Sequence, residues 1–189
     1  MRKLFFQMMI SLDGYFEGPN GDISWHNVDD EFNEQAIAML DQTDTLLFGR
    51  VTYDLMAGYW PTEQARDDDP RVAERMNRLE KVVVSRTLDK AEWNNTRLIK
   101  ENVVEEIQKL KQQPGKNIAI LGSSNLTASL LPFNIVDELL IYVSPVLLGG
   151  GKKLFDGLQK QIELTLIETR KFKSGNVDMR YVPTKKGNV

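Results

Sequence analysis

The sequence predicts an α/β fold: a mostly parallel central sheet with an antiparallel C-terminal hairpin. Three observations carry this. Short apolar runs alternate with helical patterns through the first two thirds of the chain, and parallel strands need such crossovers. Strand patterns then follow one another without helices. Between the two regimes, residues 117–131 read Asn-Ile-Ala-Ile-Leu-Gly-Ser-Ser-Asn-Leu-Thr-Ala-Ser-Leu-Leu. There an apolar run meets a glycine and small polar residues before Leu126, Leu130 and Leu131 take up helical spacing, which is a strand, a tight turn and a helix start.

In chain order, Leu4–Ile10 is a buried strand. Glu31–Leu40 places Phe32, Ala36, Ile37 and Leu40 on one helical face, with Asp29 or Asp30 as N-cap. Thr45–Phe48 is a short strand ending at Gly49, and Thr52–Met56 opens a second helix. Arg66–Arg71 is a charged break, and an amphipathic helix follows over Val72–Leu79. Lys81–Val84 is a valine-rich strand running into Ser85-Arg86-Thr87, and Leu98 and Ile99 mark another. Val103–Leu110 is amphipathic and stops at Pro114-Gly115. After the 117–131 unit, Asp137–Val143 and Pro145–Leu148 form a strand-like stretch into Gly149-Gly150-Gly151. Ile162–Arg170 and Val177–Val182 pair as a hairpin about Lys173–Asn176.

Neither repeats nor a linker divide the 189 residues, so residues 1–189 are expected to form one domain. With 41% apolar and 27% charged residues the composition is that of a globular protein. A net charge of −3 gives no footprint for a nucleic-acid backbone or an anionic membrane, so neither is expected as a partner. No cysteine is present, which excludes disulfides and thiol nucleophiles, and with one histidine no metal site is expected. The apolar stretch behind Arg2 and Lys3 is interrupted by Gln7 and followed by Asp13-Gly14, so it reads as a strand and not a signal peptide. No run approaches the roughly 18 apolar residues of a membrane span, and a cytoplasmic location is expected.

Three strand ends meet turns suited to phosphate. Phe48-Gly49-Arg50-Val51-Thr52 offers a glycine, a guanidinium and a hydroxyl at a helix start. Ser85-Arg86-Thr87 offers a guanidinium between two hydroxyls. Gly122-Ser123-Ser124-Asn125 offers backbone N–H groups at the positive end of a helix. The competing reading of the last segment is a plain turn capped by serine. In open α/β sheets ligands lie outside the carboxyl ends of strands, so these turns can converge on one groove for a polyphosphate ligand such as a dinucleotide.

In this order, Gly49-Arg50-Val51-Thr52, Ser85-Arg86-Thr87 and Gly122-Ser123-Ser124 resemble the three NADPH-contacting segments of the dihydrofolate reductase-like superfamily. Ser11-Leu12-Asp13-Gly14, Asp137-Glu138-Leu139 and the stretch from Pro145 to Phe155 resemble its riboflavin-type reductase branch, the RibD C-terminal domain family. The resemblance implies a dihydrofolate reductase-like three-layer α/β/α fold with NADPH across the strand ends. It places Gly49, Arg50 and Thr52 at the cofactor phosphates, and Ser85 and Arg86 at the 2′-phosphate. Gly122, Ser123, Ser124, Asn125 and Leu126 would cradle the pyrophosphate, and Met9, Ile10 and Ser11 would line the nicotinamide.

On the substrate side, Trp25 and Asp30 resemble the tryptophan-to-acid spacing of dihydrofolate reductase. Asp30 is thus a candidate catalytic proton relay, with helix capping as its alternative; Asp13 stands between the substrate site and the turn it occupies. Tyr53 and Trp60 are either pocket walls or core. Gly149–Gly151 reads as a backbone bend, because Lys152-Lys153 is not followed by Ser or Thr as in a phosphate loop. Tyr15-Phe16 departs from the lysine and small residue usual after Asp-Gly in riboflavin-pathway reductases. The resemblance implies reduction of 5-amino-6-(5-phosphoribosylamino)uracil or a similar small heterocyclic or ribosylamino substrate. The rivals are dihydrofolate reduction and a catalytically silent NADPH sensor. It also implies a homodimer, for which the apolar strand Leu139–Val143 offers a sheet edge. Thr62–Pro70 is a candidate lid or dimer contact.

Overall fold

A computed structural model describes residues 1–184; residues 185–189, the tail of the expected domain, lie outside the described residues. The elements in order are β1 (Leu4–Ser11), β2 (Tyr15–Glu17), α1 (Asp30–Asp41), β3 (Thr43–Gly49), α2 (Arg50–Tyr59), α3 (Glu63–Asp68), α4 (Pro70–Arg78) and β4 (Glu80–Val84). They continue with β5 (Thr96–Ile99), α5 (Val103–Gln112), β6 (Asn117–Leu121), α6 (Ser124–Leu130), β7 (Glu138–Ser144), β8 (Lys152–Lys153), β9 (Leu164–Lys171) and β10 (Val177–Pro183). Eight strands form one sheet in the order β5-β4-β3-β6-β1-β7-β10-β9, while β2 and β8 pair separately as a small flap. From β5 to β7 every pairing is parallel, and β10 and β9 add antiparallel strands, which is the expected α/β architecture.

The strands alternate their apolar residues between two cores, as a sheet covered on both faces must. Leu4, Phe6, Leu47, Val82, Ile118, Ile120 and Ile141 face α5 and α6, whose Ile107, Leu110, Leu126 and Leu130 close that core. Phe5, Met9, Leu46, Phe48, Val83 and Tyr142 face Ile37 and Leu40 of α1, Tyr53 of α2, and Val72 and Met76 of α4. Fully burying such a side chain stabilises the fold by about 1.5–3 kcal/mol. Tyr53 is core, 4% exposed, and Trp60 packs against the same cluster. Lys81 is also buried, with its Nζ donating to the carbonyls of Met76 and Asn77 at the end of α4. That arrangement satisfies the cation with orphan helix carbonyls.

Three expectations need correction. The charged break at Arg66–Arg71 narrows to one residue: α3 runs through Arg66–Asp68 and α4 starts at Pro70, with the extended Asp69 between them. Thr62 accepts from the N–H of Ala65, and Asp69 accepts from those of Arg71 and Val72, so residues that resemble loop composition are helix caps. Pro145–Leu148 lies outside any strand. Its N–H groups bond outside the sheet ladder, that of Leu148 to the Asp13 carboxylate. Finally, β7 is no sheet edge; β1 flanks it on one side and β10 on the other. The edges are the short β5 and the eight-residue β9, which is exposed along its whole length. Among the described residues, no helix is long and apolar enough to cross a membrane.

Candidate functional site

Because β4, β3, β6 and β1 run parallel, their carboxyl ends share one edge of the sheet. Register sets their levels. Gly49 pairs with Val84, Ile120 pairs with Leu47, and Leu121 pairs with Gln7. The three predicted turns therefore leave the sheet side by side. β1 runs on past the end of β6: Gln7 is its last partner there, while pairing with β7 continues to Ser11. The edge of β1 over Met8–Ser11 thus faces a gap beyond β6. Brought to this edge are the backbones of Met9, Ile10 and Ser11 and the turns carrying Gly49, Ser85 and Gly122. Side chains divide differently: Met9 is core, 6% exposed, and Ile10 packs against the opposite core.

Two helices begin at this edge, and no side chain caps either. α2 starts at Arg50, two residues earlier than its apolar pattern indicates, with Gly49 as N-cap. α6 starts at Ser124 behind Ser123, whose φ of 60° is left-handed. The two starts are cross-linked: the N–H of Gly49 donates to Ser123 Oγ at 2.9 Å, and the N–H of Ser123 donates to Thr52 Oγ1 at 3.1 Å. Both hydroxyls hold the neighbouring turn, and among the described residues no side chain partners the first-turn N–H groups of either helix. Gly122 has a φ of +62°, and a Cβ there would lie 3.0 Å from Thr52 Cγ2. The plain serine-capped turn is therefore not what forms at Ser123. An arrangement of two adjacent, uncapped helix starts attracts anionic oxygen.

The charged and hydroxylic residues take distinct places. Arg50 pairs with Asp54 at 3.0 Å, both about half exposed. Arg86 is exposed, with no ion-pair partner among the described residues. Ser85 is buried, and its Oγ accepts from the N–H groups of Thr87 and Leu88, closing the turn that presents Arg86. Ser124 is 4% exposed; its Oγ accepts from the N–H of Phe155 at 3.2 Å, tying α6 to the glycine-rich loop. Asn125 is exposed, whereas Leu126 is a core residue that can offer only its backbone.

Asp29, not Asp30, caps α1: its carboxylate accepts from the N–H of Phe32 at 2.8 Å. Asp30 is the first helical residue and is exposed. Trp25 is half-buried against the α1-side core, with its Nε1 donating to the carbonyl of Asp22. Asp13 accepts from Ser11 Oγ at 2.6 Å and from the N–H groups of Gly149 and Leu148 at 2.8 and 3.1 Å. The Ser11 hydroxyl and the two backbone donors lower its pKa to about 2, so it is ionised at neutral pH. It clamps the β1–β2 turn to the loop after β7, a contact that Leu12 N–H to Val146 O and Leu154 N–H to Gly14 O reinforce. That clamp was not visible in the sequence. Its one trace is the Gly149–Gly151 bend, where Gly149 and Gly151 take φ of +69° and +125°.

Comparison with known proteins gives the family and the fold. A family model described as the RibD C-terminal domain matches residues 2–177. The uncharacterized protein YyaP of Bacillus subtilis (strain 168) is 34% identical over 180 residues, covering 95% of this chain and 94% of its own. A crystal structure from Shewanella sp. PV-4, of a protein assigned to riboflavin biosynthesis, superposes with a TM-score of 0.75 at 23% identity, covering 97% of this chain and 99% of that one. Dihydrofolate reductase from Enterococcus faecalis, solved with NADP(H) and RAB-propyl, gives a TM-score of 0.65 at 17% identity, covering 97% of each chain. At those identities the two structures establish a common fold.

Proposed function

The chain belongs to the RibD C-terminal domain family, and on that premise we propose that it is an NADPH-dependent reductase. It transfers hydride from the nicotinamide to a C=N or C=O group of a small heterocyclic or ribosylamino substrate, with a proton completing the reduction. The nearest named activity is that of 5-amino-6-(5-phosphoribosylamino)uracil reductase. The observation that carries this reading is the pair of cross-linked, uncapped helix starts at Gly49–Thr52 and Gly122–Leu126. Their N–H groups suit the pyrophosphate, and the exposed Arg86 suits the 2′-phosphate that distinguishes NADPH from NADH. The open edge of β1 beyond β6 leaves backbone groups of Met9–Ser11 for the nicotinamide carboxamide. Bound there, NADPH supplies the hydride. Asp30, exposed at the start of α1, is the candidate proton relay.

One observation favours a second reading, an NADPH-binding protein without turnover. Asp13, the other candidate acid, is ionised and committed to the loop clamp, so it holds no proton to donate at neutral pH. Titrating the protein with NADPH and NADH, then following reduced-nicotinamide absorbance as substrates are added, separates the readings. NADPH-selective binding with oxidation supports the reductase. Binding without oxidation across pyrimidine and pterin substrates supports the second reading, and binding of neither cofactor ends both. We assign the working protein a homodimeric state, with β9 as the strand available for pairing.

A further inference from the structure

A polar cavity lies away from the strand-end edge. It occupies about 350 Å³ between the later turns of α1 and the α1-facing side of β7 and β10. Phe5 and Leu140 lie along it, and Asn117 and Glu138, the first residues of β6 and β7, place it at the amino ends of the parallel strands. That is opposite the edge where Gly49 and Gly122 leave the sheet. The cavity is closed on one side by α1: Gln35 bonds Asp178 of β10 and Arg170 of β9, and Glu31 pairs with Arg170. Its size falls within the range of small-molecule pockets.

Its polar groups are incompletely satisfied. Asp178 is 5% exposed; its Oδ2 accepts from Gln35 Nε2 at 2.9 Å, but its buried Oδ1 has no partner among the described residues. Arg180 Nε, two residues along the same strand, is likewise buried with no acceptor among them. The same Gln35 nitrogen donates to Tyr142 Oη at 3.1 Å. Other charges at the cavity are paired: Lys3 with Glu138, Arg180 with Glu168, and Arg170 with Glu31. Asp178 makes no ion pair among the described residues. A buried polar atom left unbonded is destabilising, and a native fold retains it where something completes it.

We infer that this cavity is a binding site for a neutral small molecule presenting an amide-type edge, an N–H donor beside a carbonyl acceptor. The N–H donates to Asp178 Oδ1 and the carbonyl accepts from Arg180 Nε, while Phe5 and Leu140 meet the apolar body. Lys3, Arg170 and Arg180 balance Glu138, Glu168 and Asp178 around the cavity, so its lining carries no net charge and suits a neutral ligand.

The test titrates the isotope-labelled full chain with 2-pyridone, which carries the N–H and carbonyl side by side, and reads the side-chain amide resonances of Gln35 and Asn117. Saturable shifts at both are expected, with at least about tenfold weaker binding of N-methyl-2-pyridone, which lacks the donor. Asp178→Ala should weaken 2-pyridone to a similar extent. Absence of saturable shifts, equal affinity for the two compounds, or shifts confined to Gly49 and Ser123 would overturn the inference. Should Asp178→Ala fail to fold, the pair of ligands on the unaltered protein decides the matter.

Discussion

Two arginines stand at the strand-end edge proposed for the cofactor, and their surroundings separate them. Arg50 already shares its charge with Asp54 four residues on, an exposed pair of the kind that contributes little to stability. Arg86 is held out by the Ser85 turn, without an ion-pair partner among the described residues. Arg86→Ala is therefore expected to weaken NADPH by about 1.5–3 kcal/mol, the range for hydrogen bonds to charged groups, and to leave NADH nearly unchanged. Parallel titrations check this, and equal losses for both cofactors would remove Arg86 from the 2′-phosphate. Ser123→Asp places a carboxylate between the two helix starts and should repel NADPH and NADH alike. Asp13 makes a different kind of prediction. Its folded pKa of about 2 lies below the ordinary 3.8, so the unfolded chain binds the extra proton first. The clamp's contribution is complete above about pH 4 and is lost as pH falls toward 2. Melting temperatures across that window should fall more steeply for the unaltered protein than for Asp13→Asn.

At the level of elements, the flap of β2 and β8 depends on one glycine. A Cβ on Gly151 would sit 2.0 Å from the carbonyl oxygen of Glu17, and its φ of +125° suits no side chain. Gly151→Ala should destabilise the protein by at least about 1–3 kcal/mol, whereas Gly157→Ala, whose Cβ meets nothing within 4 Å, should stay within about 0.5 kcal/mol. Denaturant unfolding of the two variants side by side measures the difference. Elements with a clear period were legible in the sequence: the strand at Ile118–Leu121 and the helix carrying Phe32, Ile37 and Leu40 stand where their patterns place them. What escaped was set by contacts distant in sequence. Thr62 and Asp69 stood in a candidate lid and a charged break, and only their hydroxyl and carboxylate in place show them capping α3 and α4. The three turns of the candidate site were readable because each is local. The Asp13 clamp joins residues 135 or more apart in sequence, which no window of residues reports.

For the molecule as a whole, the sheet has one long unprotected edge. β9 carries the exposed apolar residues Leu164, Leu166 and Ile167, and exposed edges of this kind are ordinarily paired, covered or charged. Light scattering at micromolar concentration should report a dimer, and Leu166→Lys should shift it toward monomer without loss of NADPH binding. A monomer before any substitution would leave β9 as a bare edge and end that expectation. The strand order has a consequence in time as well as in space. β1 is made first, yet its partners in the sheet are β6 and β7, which begin at Asn117 and Glu138. A nascent chain released through β5 holds the middle strand of its future sheet with neither neighbour, for several seconds at ordinary translation rates. Such long-range pairing slows folding, and the apolar Phe5, Phe6, Met8 and Met9 remain unsheltered meanwhile. Truncations ending before residue 117 should therefore aggregate when synthesised alone.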